Sequence, residues 1–157
     1  MEKRYISELD QYLFGEGIHY EIYNKLGAHF SVDDDGKEGV YFAVWAPHAM
    51  SVSVIGDFNN WDQSVNMMTK LEPLGIWELF IPEVKEGALY KYFIIGANGQ
   101  SLYKADPFAF SAELRPGTAS KVVNLDGYKW SDEKWMSERE KKDIIKEPVA
   151  IYECHIG

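Results

Sequence analysis

Apolar and polar side chains alternate with a period of two along most of the chain from Ala28 onward, which is typical of half-buried β-strands. The pattern predicts strands over residues 28–32, 40–45, 51–55, 76–81, 89–95 and 121–125, with a return strand that begins at residue 102. Asn98-Gly99 stands between two apolar runs and predicts a tight hairpin turn. Short strands at this spacing, with no helices between them, predict a mainly β protein with an immunoglobulin-like antiparallel β-sandwich. They argue against a parallel α/β sheet.

The sandwich is predicted over residues 28–126, and a short helical segment is predicted before it, over residues 1–27. In that segment Ser7 is the candidate N-cap of a helix, and Gly15 is the residue that stops it.

The part of the chain after the sandwich predicts a helix followed by a strand. Residues 127–148 have the charge pattern of a linker helix that is capped by Ser131 and ends before Pro148. Residues 149–157 are an apolar run that predicts one more strand. A strand without a partner exposes its backbone hydrogen-bonding groups. We therefore expect this last strand to open a further domain of a longer protein.

The acidic composition narrows the class of partner. A net charge of −9 repels phosphate and anionic lipid, so we expect neither nucleic acid nor a membrane as a partner. Aromatic residues make up 15% of the chain, and a surplus of rings with apolar faces and polar edges favours a binding surface.

Several features favour a cytoplasmic location. Cys154 is the single cysteine, so no internal disulfide is possible, as in most proteins of the reducing cytosol. The first residues carry scattered charges and no apolar core, unlike a signal peptide. No stretch approaches the roughly 20 apolar residues that a membrane span needs.

The loop over residues 56–62 (GDFNNWD) combines the two kinds of group that a sugar requires. A pyranose has apolar C–H faces and a rim of hydroxyls, so it is bound by a flat aromatic ring together with hydrogen-bonding side chains. Trp61 supplies the ring, and Asn59 and Asn60 supply amides. The alternative is that Trp61 folds back as a lid on the sandwich.

Lys91 is a second candidate, in the middle of a predicted strand. It shares a face with Phe93 and Ile95, so its ammonium group extends past apolar neighbours and can donate to sugar hydroxyls. The alternative is an ordinary surface lysine whose stem covers apolar neighbours.

No catalytic centre, metal site or cofactor site is indicated by the residues. The turn at residues 33–36 lacks the later Glu that a calcium loop requires. Cys154 and His155 point to opposite faces of a strand, and the four histidines lack metal-ligand spacing.

Strings along nearly the whole chain resemble the N-terminal region of bacterial 1,4-alpha-glucan (glycogen) branching enzymes. The matching strings are residues 12–19, 26–29, 44–49, 56–62, 90–92, 104–108 and 115–120, in the family's order. Residues 151–157 resemble the first strand of the family's (β/α)8 barrel, the remainder of which would lie beyond this chain.

This resemblance implies a cytosolic enzyme that cuts an α-1,4 glucan and transfers the piece to a 6-hydroxyl. The family's catalytic carboxylates lie on later barrel strands, so the resemblance assigns no catalytic residue here and this chain alone is expected to be inactive. The implied partners are an α-glucan, such as glycogen, amylose or malto-oligosaccharides, and the catalytic barrel of the same polypeptide.

The resemblance to glycogen-binding modules implies a sugar site around Trp61 and Lys91. Tyr103 takes the place of a second stacking aromatic residue, and Thr118 lies where a polar contact is expected. Ser120 stands where glycogen-sensing relatives carry an Asn.

Two functions remain open at this point. One is a glucan-binding module that holds chains near the barrel, and the other is a structural spacer that braces the barrel and binds little sugar. Less favoured interpretations are a free-standing glycogen-targeting subunit, or the equivalent module of a debranching or trehalose-forming enzyme.

Overall fold

The computed structural model describes residues 5–143 and 145–156, which contain nine β-strands and two α-helices. The helices are α1 (Glu8–Gly15) and α2 (Glu133–Arg139). The strands are β1 (Gly27–Val32), β2 (Glu38–Trp45), β3 (Ala49–Gly56), β4 (Thr69–Leu71), β5 (Ile76–Pro82), β6 (Leu89–Gly96), β7 (Ser101–Lys104), β8 (Ser111–Ala112) and β9 (Ser120–Lys121). The chain divides into a first unit that ends at Asn124 and a second unit that begins at Leu125. No helix of the described residues is long and apolar enough to cross a membrane.

All strands lie in the first unit and form two antiparallel sheets, which confirms the predicted β-sandwich. Sheet A has the strand order β1-β2-β5-β4, and sheet B has the order β3-β6-β9-β8, with β7 also paired to β6. The turn at Asn98-Gly99 joins β6 to β7 as a hairpin, in which Tyr92 pairs with Lys104 and Ile95 with Ser101. The sequence signal for this hairpin is therefore also confirmed.

Strand β2 is buried on both of its faces. Its even-numbered side chains, such as Phe42, lie in the core between the two sheets. Its odd-numbered side chains Tyr41 and Ala43 lie in a second apolar cluster, together with Ile6 and Leu26 of the N-terminal segment. The N-terminal segment therefore covers the outer face of sheet A.

Helix α1 begins at the predicted cap. The Ser7 hydroxyl accepts from the Asp10 amide at 3.1 Å, and the Ser7 amide donates to the Asp10 carboxylate at 2.8 Å. His19 Nε2 and Lys25 Nζ lie 2.9 and 3.0 Å from the same carboxylate. Burial opposes ionisation of Asp10, but the hydrogen bonds outweigh it and hold the pKa of this carboxyl well below its usual range. The Asp10 carboxylate thus connects helix α1 to His19 and Lys25, in the segment that leads into β1.

A second carboxylate, Asp106, is buried in the sandwich. It accepts from the hydroxyls of Tyr90 and Tyr92 at 2.7 and 3.1 Å, and from the Phe108 amide at 2.8 Å. Burial raises the pKa of Asp106, and these hydrogen bonds oppose the rise. Because Tyr90 and Tyr92 belong to β6, this network fixes the central strand of sheet B to the chain that follows β7.

The structure departs from the sequence-based elements at several places. Strands β4 and β8 were not predicted, because strands of two or three residues are too short to show alternation. The predicted strand over residues 121–125 is reduced to β9, although Val122 still exchanges hydrogen bonds with Gly87 and Ala88.

The second unit differs more strongly from the elements that the sequence predicts. Helix α2 follows Asp132 rather than Ser131 and ends at Arg139, well before Pro148. Residues 149–156 form no strand, and Gly157 lies outside the described residues. A barrel strand exists only when neighbouring strands accept its hydrogen bonds, and no described strand pairs with this segment.

The Asp106 network is expected to be a large contributor to stability. In Asp106→Ala, two buried hydroxyls and the partly buried Phe108 amide lose their acceptor, so the free energy of unfolding should fall by about 3 kcal/mol. Tyr90→Phe removes a single donor and should cost about 1 kcal/mol. Urea unfolding followed by circular dichroism measures both. Equal losses in the two variants would contradict a network centred on the carboxylate.

Asp10 should make stability depend on pH with a defined sign. Because its pKa is lower in the native state than in the unfolded chain, its ionised form stabilises the fold above about pH 4, and this contribution fades as the pH falls through the native pKa. Asp10→Asn should therefore cost about 1 kcal/mol near pH 7 and less at lower pH. Urea unfolding of the parent and of Asp10→Asn, from pH 7 to lower pH, measures this difference in stability. Asp106 is present in both proteins, so its opposite pH dependence cancels, and a pH-independent difference would refute the assignment.

Candidate functional site

The outer face of sheet B carries the candidate site. Tyr90 and Tyr92 of β6 point into the core, so the alternating side chains Lys91 and Phe93 point outward. Tyr103 of β7 pairs with Phe93, and their ring centres lie 5.1 Å apart. Tyr103 is 53% exposed, so this face offers aromatic surface to solvent.

The loop between β3 and β4 is anchored from within. The Asn59 side chain accepts from the Gly56 amide at 2.9 Å and donates to the Val54 carbonyl at 2.8 Å. It also donates to the Asn66 side chain at 2.8 Å. A side chain at Gly56 would collide with the Leu89 carbonyl, which explains the glycine. Asn59 thus organises the loop, because both N–H donors of its side-chain amide and one acceptor position of its oxygen are used within the protein.

Asn60 and Trp61 form the tip of this loop. Both have positive φ angles, 53° and 61°, which is uncommon for residues other than glycine and is a strained backbone for a bulky tryptophan. The Trp61 amide donates to the Gly56 carbonyl at 3.0 Å, so the backbone is held while 37% of the residue is exposed. The residue is therefore partly buried at the loop tip. Such strain persists only where the surroundings enforce it, and it is frequent at binding sites.

Lys91 and Thr118 form a polar pair. Lys91 Nζ donates to the Thr118 hydroxyl at 2.6 Å. The ammonium group retains further N–H donors, and the hydroxyl retains a hydrogen that it can donate. This pair can therefore both donate to and accept from a ligand hydroxyl.

A carboxylate adjoins the indole. Asp62 accepts from the Ser64 amide at 2.8 Å and from its hydroxyl at 2.6 Å, and these two hydrogen bonds lower the pKa of Asp62. This exposed group is ionised at neutral pH and adds an acceptor beside the loop tip.

The structure groups the sequence-predicted residues in three places. Asn60 and Trp61 share the loop tip, Lys91 contacts Thr118, and Tyr103 is hydrogen-bonded to the Trp61 loop through Gln63. Ser120 is separate from them. It is 1% exposed, and its hydroxyl accepts from the Asp106 amide at 2.8 Å, so it belongs to the core network.

Sequence reasoning missed Gln63. Its Nε2 donates to the Tyr103 hydroxyl. No local pattern identifies it, because its partner is 40 positions away along the chain and is brought near only by the sheet.

A cavity of about 490 Å³ opens elsewhere, on the outer face of sheet A, and none of the five predicted binding residues lines it. It is bordered by the aromatic residues Tyr5, Tyr41 and Phe80 and by the acidic turn at residues 33–35. Among the described residues, no group of three or more His, Cys, Asp or Glu side chains is arranged to hold a metal ion.

The fold is a small two-sheet antiparallel β-sandwich. The family model described as carbohydrate-binding module 48 (isoamylase N-terminal domain) matches residues 25–109, which is more than half of the chain. The chain belongs to this family.

Curated relatives match nearly the whole chain. The 1,4-alpha-glucan branching enzyme GlgB of Butyrivibrio fibrisolvens is 56% identical over 156 residues, which is 99% of this chain and 24% of that protein. GlgB of Synechocystis sp. (strain ATCC 27184 / PCC 6803 / Kazusa) is 50% identical over 152 residues, or 97% of this chain and 20% of that protein. This chain is therefore similar to the N-terminal region of these enzymes and spans about a quarter of their length or less.

Solved structures share the fold. Pullulanase from Anoxybacillus sp. LM18-11, solved with maltotetraose, aligns with a TM-score of 0.53 and 30% identity over 65% of this chain and 14% of its own. A putative alpha amylase from Salmonella typhimurium aligns with a TM-score of 0.55 over 71% of this chain and 17% of its own. Its identity of 22% supports the fold alone.

Proposed function

We propose that the outer face of sheet B binds an α-glucan chain. Trp61 and Tyr103 stack against the apolar faces of glucose rings, while Lys91, Thr118 and Asn60 form hydrogen bonds with the hydroxyls. The observation that carries this proposal is the Trp61 loop tip, where a partly exposed indole is held in a strained backbone by an internally hydrogen-bonded loop.

The chemistry of the face suits a neutral polyol. An indole and a phenol ring offer flat apolar surfaces, and an ammonium group, a hydroxyl and an amide supply both donors and acceptors. The overall charge of −9 disfavours anionic ligands and has no unfavourable effect on a neutral sugar. Membership of a carbohydrate-binding family supports the same ligand class.

We infer that the longer protein is a cytoplasmic 1,4-alpha-glucan branching enzyme that forms α-1,6 branches in glycogen biosynthesis. The identity of 56% over nearly the whole chain favours this enzyme over a debranching enzyme, since the pullulanase match is 30% identical over a smaller part. The catalytic groups would lie in the remainder of that enzyme, which is several times longer than this chain.

The second unit favours an additional bracing function. It exposes large apolar side chains to solvent, and these are Trp130 (74% exposed), Ile151 (90%), Tyr152 (90%) and Ile156 (96%). Surfaces of this kind are typical of interaction sites. We propose that these side chains are buried in the longer protein, Ile151, Tyr152 and Ile156 within the first barrel strand and Trp130 against the barrel, so that this unit supports the barrel while sheet B binds sugar.

Trp61→Ala should weaken glucan binding by about 1–2 kcal/mol, because one stacked ring face contributes part of the value of a fully buried aromatic side chain. Affinity electrophoresis in gels that contain glycogen measures the change as lower retardation. Trp135→Ala is the matched control, since Trp135 is 58% exposed but lies in α2.

The control variant should be retarded like the parent, and circular dichroism should show the same fold for all three proteins. Equal retardation of parent and Trp61→Ala would remove the glucan-binding proposal and leave only the bracing function.

The 157-residue chain should show no branching or hydrolytic activity by itself. Incubation with amylose followed by iodine staining should leave the absorbance unchanged, whereas the longer enzyme should lower it. A falling absorbance with the purified chain would reveal a catalytic site in these residues and would overturn this assignment.

A further inference from the structure

Gln63 spans the open face of sheet B from one side to the other. Its backbone carbonyl accepts from the Ser53 hydroxyl of β3 at 3.0 Å, and its side-chain amide donates to the Tyr103 hydroxyl of β7. The strand register places Ser53 opposite Phe93, and Phe93 opposite Tyr103. Ser53, Phe93 and Tyr103 therefore form one row across three strands, and Gln63 is bonded to both ends of that row.

The span is long for one residue. Neighbouring strands lie about 4.8 Å apart, so the two ends of the row are separated by about 10 Å at the backbone. The two hydrogen bonds of Gln63 bridge this gap, because its backbone carbonyl is bonded on the β3 side of β6 and its side-chain amide on the β7 side.

The two proposed stacking residues depend on different supports. The bonds of Asn59 hold the Trp61 loop to the β3 side of the sheet, through Val54 and Gly56. Tyr103 lies in β7, a strand of four residues on the opposite side of β6. Gln63 joins the loop directly to Tyr103.

We propose that Gln63 is a positioning residue that fixes the placement of Tyr103 relative to Trp61, so that both rings meet one glucan chain without prior rearrangement. This inference rests on the proposed glucan-binding function. Holding both rings in place before binding reduces the conformational entropy that binding must overcome, which raises affinity without any direct contact from Gln63 to the sugar.

Four single variants and the double variant Gln63→Ala/Tyr103→Phe test the proposal, with maltoheptaose as the ligand and isothermal titration calorimetry as the measurement. Gln63→Ala removes the bond to Tyr103. Gln63→Glu keeps the length and lets the tyrosine hydroxyl donate to the new carboxylate. Tyr103→Phe removes the same bond but keeps the ring. Gln100→Ala is the matched control, because Gln100 lies exposed in the hairpin turn after β6.

We expect Gln63→Ala and Tyr103→Phe each to raise Kd about fivefold, and the double variant to be no weaker than either one, because both changes break one interaction. Gln63→Glu should bind within about twofold of the parent by the same reasoning, and Gln100→Ala should bind like the parent. An unchanged Kd in Gln63→Ala, or additive losses in the double variant, would overturn the positioning role.

A measurement without ligand separates this inference from the function on which it rests. Amide hydrogen exchange over residues 57–68 should be faster in Gln63→Ala than in the parent, and slow again in Gln63→Glu. If the parent fails to bind maltoheptaose, the glucan-binding function is refuted whatever the exchange rates are. If the parent binds but exchange and Kd are unchanged in Gln63→Ala, only the role of Gln63 is refuted.

Discussion

A two-sheet sandwich has two outer faces, and the segments that cover each face determine which of its side chains are exposed to solvent. The N-terminal segment places Ile6 and Leu26 against the outer face of sheet A, so β2 is buried on both sides. Sheet B has a different covering. The loop after β3 bonds to the Ser53 hydroxyl through the Gln63 carbonyl at one edge, while Tyr103 is left more than half exposed. Aromatic and polar groups thus lie on both outer faces, around the cavity on sheet A and around Tyr103 on sheet B, and the proposed sugar site uses the second.

In the loop at residues 56–62, some residues hold the backbone in place and others form the exposed tip. Gly56 allows close approach to the Leu89 carbonyl, and Asn59 bonds to three partners within the sandwich edge. These fixed positions compel Asn60 and Trp61 to adopt left-handed backbone conformations at the tip. This polar loop is therefore held in one conformation by its own hydrogen bonds. The bonds of the neighbouring residues offset the backbone strain at Trp61.

Much of the fold was predictable because its signals are local. Ser7 is a helix cap by residue type, Asn98-Gly99 is a hairpin turn by residue type, and the long strands alternate visibly. The site was predicted only in part. Trp61, Lys91 and Tyr103 were identified by residue chemistry and by resemblance, but Gln63 depends on a contact between distant parts of the chain. The structural roles of Asn59 and Ser120 could not be predicted, since only the packed structure shows which partners their polar atoms bond. Strands β4 and β8 are too short to carry a pattern of their own.

The hairpin between β6 and β7 has a consequence for how this surface can change. Side chains on a strand alternate between faces, so the length of the turn at residues 97–100 decides which side chain of β7 is displayed. With the present turn, Tyr103 faces outward beside Phe93. A single inserted residue would shift the register of β7 by one position, so that a neighbouring side chain would face outward instead of Tyr103. The β3–β6 pairing would stay intact. A change in loop length would thus alter the chemistry of this face without replacing any of its aromatic residues.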